Sequence, residues 1–349
     1  MSMKIVFLYT EIADYFISAC LELAKDAQVH IVRWEVAKEA PFQFDFSDKL
    51  NIYSRDNYDN PSLQSLINRI NPDIIFCSGW IDKGYIKIIK QYSGKVPTVL
   101  TMDNHYNGKL KQLGAILFSK YSFLKYFSNA WVPGIPQFKY VKKLGFKEDT
   151  VQTGFYCANT TSFNTFYDTS FNEKRKNYPK RFFYLGRYVK HKGIFDLWEA
   201  YKSYRRNGGN WELLCVGAGD EWENRMQVDG IIHLGFKQPN EIPEILKSCG
   251  VYILPSHFEP WGVSVHEMAA AGLPLILSEK IGAASQFLDI DKNGFQFSSG
   301  NIDELEKKLT KVSNLKSSEL IEMGNRSHEL AQSLTPKQWA TKALNFLNL

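Results

Sequence analysis

Residues 254–277 read LPSHFEPWGVSVHEMAAAGLPLIL, and the rest of the chain is read outward from them. They continue a short apolar run, Val251 to Leu254, of the length of a buried strand. The chain breaks at Pro260, Trp261 and Gly262, immediately after the acid Glu259, and a helix is predicted from near Gly262. The first N–H groups of a helix have no partner in a preceding turn and carry partial positive charge, which suits a phosphate. A second acid, Glu267, follows after seven intervening residues, about one and a half turns into the helix, where it can face the same ligand from the side. A second apolar run, Leu273 to Leu277, closes the unit. Such a strand–loop–helix with two flanking carboxylates has the parts a sugar-nucleotide site needs, one acid for sugar hydroxyls and one for ribose hydroxyls.

Upstream, residues 181–201 read RFFYLGRYVKHKGIFDLWEAY. The apolar run Phe182 to Leu185 ends at Gly186, and Gly193 opens a helical pattern on Ile194, Leu197, Trp198 and Tyr201. Arg187, Lys190, His191 and Lys192 lie between. Cations at the C-terminal end of a parallel strand suit a diphosphate, Arg as a fork of donors and Lys as a point charge. In isolation the same run also fits a solvated basic loop. A third strand-like run leads into Gly217–Ala218–Gly219–Asp220, which fits a tight turn or a nucleotide-bordering loop equally well.

Together these segments resemble the retaining glycosyltransferases of family 4, which have the GT-B fold. Ser256, Glu259, Gly262, Glu267, Ala269, Gly272 and Pro274 match the two-glutamate signature, and Gly186, Arg187, Lys192 and Gly193 match the Gly–Arg–x–x–x–x–Lys–Gly motif. The resemblance implies two Rossmann-like doubly wound domains facing a central cleft and transfer of a sugar from a nucleotide-sugar donor, UDP- or GDP-linked. It assigns Arg187 and Lys192 to the leaving diphosphate, Glu259 to the donor sugar and Glu267 to the ribose. Gly262 and Val263 offer backbone N–H groups, Gly186 and Gly217 border the nucleotide, and Phe236 and Lys237 border the base. No metal and no bound cofactor are implied. Glu259 is not assigned as a nucleophile, because retaining members of this fold usually lack one. A GT-B sugar-nucleotide epimerase or a non-catalytic sugar-nucleotide-binding protein would share the donor site.

The chain departs from the family in its first half. LYTEIADYF lacks the glycine-rich loop that many members carry after the first strand, so Thr10 and Glu11 are expected on the acceptor side instead. Asp103 and His105 resemble a His–Asp pair in reversed order. His105 is open between a role at the acceptor and an exposed loop position.

Strand and helix alternate through the first half, with strands expected at Lys4–Tyr9, Gln28–Trp34, Ile74–Cys77, Val96–Thr101 and Ala130–Val132. Residues 158–180, polar and rich in Asn and Thr, read as an interdomain linker. The expected domains are 1–160, joined by a terminal helix at 336–349 crossing back, and 161–335.

At 349 residues and 44% hydrophobic, two cores are feasible. The five scattered cysteines form no C-x-x-C pair, which fits a reducing compartment. No apolar run reaches the roughly 18 residues of a membrane span, and no signal peptide is read at the start. A cytoplasmic protein is expected, peripheral on the inner face of the membrane if its basic segment docks there. That segment, 83–147, holds twelve lysines and one acid, Asp103, interleaved with Phe118, Tyr121, Phe123, Tyr126, Phe127, Trp131, Phe138 and Tyr140. It suits an anionic membrane; a solvated shell over an aromatic core is the alternative, and nucleic acid is disfavoured for want of a recognition motif. The acceptor expected is a saccharide or lipid-linked saccharide of cell-surface polysaccharide or lipopolysaccharide synthesis.

Overall fold

The computed structural model describes residues 2–36, 42–44 and 46–348, without the side chains of Lys120 and Phe123; the sequence reading of Phe123 therefore falls outside the description. The chain forms two compact units, Met1–Cys157 with Pro336–Leu349, and Ala158–Thr335.

The first unit runs β1 (Lys4–Tyr9), α1 (Asp14–Leu23), β2 (Gln28–Arg33), β3 (Leu50–Ser54), α2 (Asn60–Ile70), β4 (Ile74–Ser78), α3 (Lys83–Tyr92), β5 (Thr98–Thr101), α4 (Leu110–Phe118), β6 (Asn129–Val132), α5 (Ile135–Lys143) and β7 (Val151–Thr153). Among the described residues its seven strands pair in parallel in the order β3-β2-β1-β4-β5-β6-β7. Near-continuous apolar runs, such as IVFLY in β1, are what a sheet covered on both faces demands. Helix starts are set by carboxylate caps. Asp59 accepts from the Ser62 N–H at the head of α2, and Asp82 accepts from the Gly84 and Tyr85 N–H groups at the head of α3. β3, β7 and α4 were not expected from sequence. β3 is half-exposed, β7 has three residues, and α4 has no buried residue, so none shows a core periodicity.

The second unit runs α6 (Thr160–Lys176), β8 (Arg181–Leu185), α7 (Ile194–Arg206), β9 (Glu212–Val216), β10 (Ile231–His233), α8 (Ile242–Leu246), β11 (Val251–Leu254), α9 (Val263–Ala270), β12 (Leu275–Ser278), α10 (Ala284–Phe287), β13 (Gly294–Phe297), α11 (Ile302–Ser313) and α12 (Ser317–Ala331). Six parallel strands take the order β10-β9-β8-β11-β12-β13. In both sheets the order reverses once, between β1 and β4 and between β8 and β11. Ligands of open parallel sheets bind at that reversal, beyond the carboxyl ends of the strands.

Two sequence expectations are corrected. Residues 158–180 are not a linker, because α6 occupies 160–176 and buries Thr160, Phe163, Phe166, Ser170 and Lys174. Two of those five are polar and one is a lysine, which hid the helical stripe; Lys174 is buried to its tip, with its ammonium over the Phe166 ring. The aromatics of 83–147 do not form one surface. Phe127, Trp131 and Tyr140 are core, Tyr126 and Phe138 pack against it, and Phe118 and Tyr121 are exposed at 66% and 83%.

The last helix, α13 (Pro336–Asn345), belongs to the first unit and lies along α1. Trp339 is fully buried there, stacks on Phe7, lies tilted against Trp131 at 4.8 Å, and donates its indole N–H to the Phe155 carbonyl at 2.6 Å. Among the described residues no helix is long and apolar enough to cross a membrane. All five cysteines are buried and outside any disulfide.

Candidate functional site

In the second unit the loops after β8 and β11 flank the reversal of strand order. The β8 loop passes Gly186 and Arg187, makes one 3-10 turn over Lys190–Lys192, and enters α7 through Gly193 at φ +67°. A Cβ on Gly193 would sit 2.2 Å from the Pro255 carbonyl oxygen, so glycine alone lets the two loops touch. The His257 N–H donates to the His191 carbonyl at 2.8 Å, a second tie between them. His257 Nε2 lies 2.6 Å from the Asp196 carboxylate on α7.

This lacing brings Lys192 against Glu259. The ammonium donates to the carboxylate, and the two side chains are only 16% and 12% exposed. Glu259 is itself fixed from the other side. Its N–H donates to the Lys280 carbonyl at 3.1 Å, and its carbonyl accepts from the Gly282 N–H at 3.1 Å. Gly262 then turns the chain at φ 92° into α9, with Val263 as the first helical residue. The α9 N-terminus thus opens just past the Lys192–Glu259 pair.

Glu267 is half-buried one turn along α9. Tyr252, fully buried beneath, donates to Ser264 Oγ at 2.8 Å, and its ionisation is opposed first by burial and then by the charges of Glu259 and Glu267, so both acids lie within electrostatic reach of one ring. Arg187 is exposed. His191 is held below its ordinary pKa by burial first, then by the charges of Lys192 and Arg187, which places both cations near its ring.

The β9 and β10 loops extend the same edge. The Gly217 N–H donates to the Gly235 carbonyl at 2.8 Å, and the Gly186 N–H to the Val216 carbonyl at 3.0 Å. Phe236 is half-buried just beyond, whereas the Lys237 ammonium is engaged by Glu241 at 3.1 Å.

Asp103, His105 and Glu11 belong to the first unit. Glu11 is exposed just past β1, where Thr10 Oγ1 and Ser78 Oγ approach to 3.2 Å across the reversal of that sheet. Asp103 follows β5, and its carbonyl accepts from Gln137 Nε2 at 2.9 Å. His105 is half-buried, and burial lowers its pKa while the charge of Asp103 opposes that shift.

Sequence reasoning missed two groups. Tyr9 and Tyr156 hydrogen-bond to each other and Tyr156 to Asp103, with Tyr15 edge-on to Tyr156 at 5.6 Å. These residues come from four separate segments, and no local pattern links them. His266 is fully buried on α9, accepting from the Ala158 N–H on Nδ1 at 3.1 Å with Nε2 3.0 Å from the Ala331 carbonyl. Its place beside Glu267 in the sequence was the available signal. Among the described residues, no group of three or more His, Cys, Asp or Glu is gathered as for a metal.

Residues 167–329 match the family model of glycosyl transferases group 1. An uncharacterized glycosyltransferase of Haemophilus influenzae is 26% identical over 144 residues, 40% of this chain and 40% of that protein. The capsular polysaccharide biosynthesis glycosyltransferase CapM of Staphylococcus aureus is 27% identical over 138 residues, 38% of this chain and 36% of that one. The chain thus matches about two-fifths of the length of these curated relatives. Among solved structures, Anabaena HepE in complex with UDP and glucose superposes with a TM-score of 0.75 at 11% identity, covering 100% of both chains. With two parallel-sheet units, this is the GT-B fold.

Proposed function

We propose that this protein is a retaining, hexosyltransferase-type family 4 glycosyltransferase that uses a UDP- or GDP-linked sugar. The observation that carries this reading is the Lys192–Glu259 pair, set at the strand-order reversal of the second unit and directly before the α9 N-terminus. The group 1 match over the same unit supports it.

In this reading Arg187 and Lys192, with the first N–H groups of α9, bind the donor diphosphate and stabilise the charge that grows on it as the glycosidic bond breaks. Diphosphate competes with Glu259 for the Lys192 ammonium, which frees the carboxylate to accept hydrogen bonds from the sugar hydroxyls. Glu267 accepts from the ribose, and Phe236 borders the base. The acceptor hydroxyl attacks on the face that the diphosphate leaves, its proton passing to the departing phosphate oxygen as the sugar–phosphate bond breaks and the new glycosidic bond forms. Asp103, His105 and Glu11 serve the acceptor side, which we take to be a saccharide or lipid-linked saccharide of cell-surface polysaccharide synthesis. The lysine-rich face of residues 83–147 supports work at the inner surface of an anionic membrane.

The test is incubation with UDP- and GDP-sugars, with and without lipid-linked saccharide acceptors, reading the anomeric proton of the product by NMR. A transferred sugar with its donor configuration supports the reading. Inverted product overturns the retaining mechanism, and an altered sugar nucleotide formed without acceptor would make the protein an epimerase.

A further inference from the structure

α4 is built inside out. At about 100° per residue, Leu110, Leu113 and Leu117 fall on one stripe and Gln112, Ala115, Ile116 and Ser119 on the opposite one. The leucine stripe faces solvent, with Leu110 85%, Leu113 40% and Leu117 73% exposed. The side turned to the protein is the smaller and more polar one: Ala115 and Ile116 pack on the core, and Ser119 is buried. Phe118 and Tyr121 extend the exposed ridge. Among the described residues, five of the nine exposed large hydrophobic residues thus lie between 110 and 121. An apolar ridge of this kind on a surface marks a contact.

The surroundings identify the partner. α3, α4 and α5 cover one core on the same face of the sheet. On these helices and the segments joining them, the exposed side chains include Lys83, Lys87, Lys90, Lys109, Lys111, Lys125, Lys139 and Lys143, with no acid among the exposed described residues from 83 to 147. Lys90 and Lys125 each place their ammonium by the Tyr126 ring, 5.8 and 5.2 Å from its centre. Leucines and aromatic residues ringed by cations fit the boundary of an anionic bilayer, where apolar side chains enter the acyl region and lysines stay among the headgroups. A second copy of this chain would set lysines against lysines there.

We propose that α4 is a membrane-inserting element, with Leu110, Leu113, Leu117, Phe118 and Tyr121 entering an anionic lipid surface. This rests on, and sharpens, the reading of the basic face as a membrane surface, since charge alone would hold the face above the headgroups without burying a leucine.

The test uses the full chain with vesicles of phosphatidylglycerol mixed with phosphatidylcholine, and with phosphatidylcholine alone. Binding is read by co-sedimentation of wild type and of a Leu113→Glu, Leu117→Glu variant. Depth is read in Leu117→Trp by quenching from bromine-labelled acyl chains, against a parallel wild-type titration. Strong added quenching with anionic vesicles, and a loss of binding of at least about tenfold in the glutamate variant, are expected from burial of two leucines. Anionic binding that is unaffected by the glutamates and shows no added quenching would overturn insertion while sparing the electrostatic reading. Absence of binding to anionic vesicles would overturn both. Concentration-dependent self-association abolished by the glutamates would assign the ridge to a second copy and overturn the proposal.

Discussion

Lys192 and Glu259, 67 residues apart in sequence, form an ion pair across the point where the strand order of the second sheet reverses. Each side chain is the other's charge partner within a mostly buried setting, so neither can be changed alone without cost.

Lys192→Ala is expected to lower kcat by about 100- to 1,000-fold through loss of diphosphate stabilisation. It also leaves Glu259 without its cation, at a cost of roughly 3 kcal/mol in stability. The double variant Lys192→Ala, Glu259→Gln should recover much of that stability and none of the activity. Denaturant midpoints and initial rates on the four proteins of this cycle check both parts.

Gly217 has φ 141°, and a Cβ there would lie 1.9 Å from the Gly186 carbonyl oxygen. Gly217→Ala must therefore part the β8 and β9 loops. A loss of about 2 kcal/mol or more in stability and a raised donor KM are expected. Gly208→Ala, with a left-handed φ of 90° but no atom within 4 Å of the added Cβ, should cost less and leave the donor KM unchanged. Thermal unfolding and steady-state kinetics separate the two.

Much of this architecture was legible in the sequence because it rests on local pattern. β1 and β11 match the expected ranges residue for residue, being apolar runs bounded by polar residues or turns. Gly193 and Gly262 mark the starts of α7 and α9 because each needs a left-handed backbone. What stayed hidden depends on contacts distant in sequence. α6 buries Ser170 and Lys174 where a helical stripe would show aliphatics, and the Tyr156–Asp103 bond joins residues from separate crossovers. α4 was hidden for the opposite reason, since its apolar stripe covers no core.

His266 sets a pH limit on the second unit. With Nδ1 accepting from the Ala158 N–H, protonation would force two N–H groups together, and burial pushes its pKa down from 6.5 to about 4. The unfolded chain takes up this proton first as the pH falls. The contribution of the neutral ring is thus complete above pH 6.5 and is lost progressively towards pH 4, by roughly 3 kcal/mol in all. The difference in denaturant midpoint between wild type and His266→Gln, followed across this range, should shrink as the pH falls.

Trp339 anchors α13 in the core of the first unit. Trp339→Ala should cost about 3 to 5 kcal/mol, since it opens a cavity against Phe7, Phe16 and Trp131 and strands the Phe155 carbonyl. Trp339→Phe should retain most of the packing and lose only the hydrogen bond, about 1 kcal/mol. Urea unfolding of the two variants distinguishes packing from hydrogen bonding.

The most direct test of the donor site is a thermal-shift titration of wild type, Lys192→Ala and Glu267→Ala with UDP, GDP, ADP, CMP and dTDP. One nucleotide should stabilise the wild type by roughly 2.7 kcal/mol at about 100 times its Kd, and either substitution should weaken that gain. A folded wild type that no nucleotide stabilises, or a gain unchanged by both substitutions, would contradict a donor site at the Lys192–Glu259 pair.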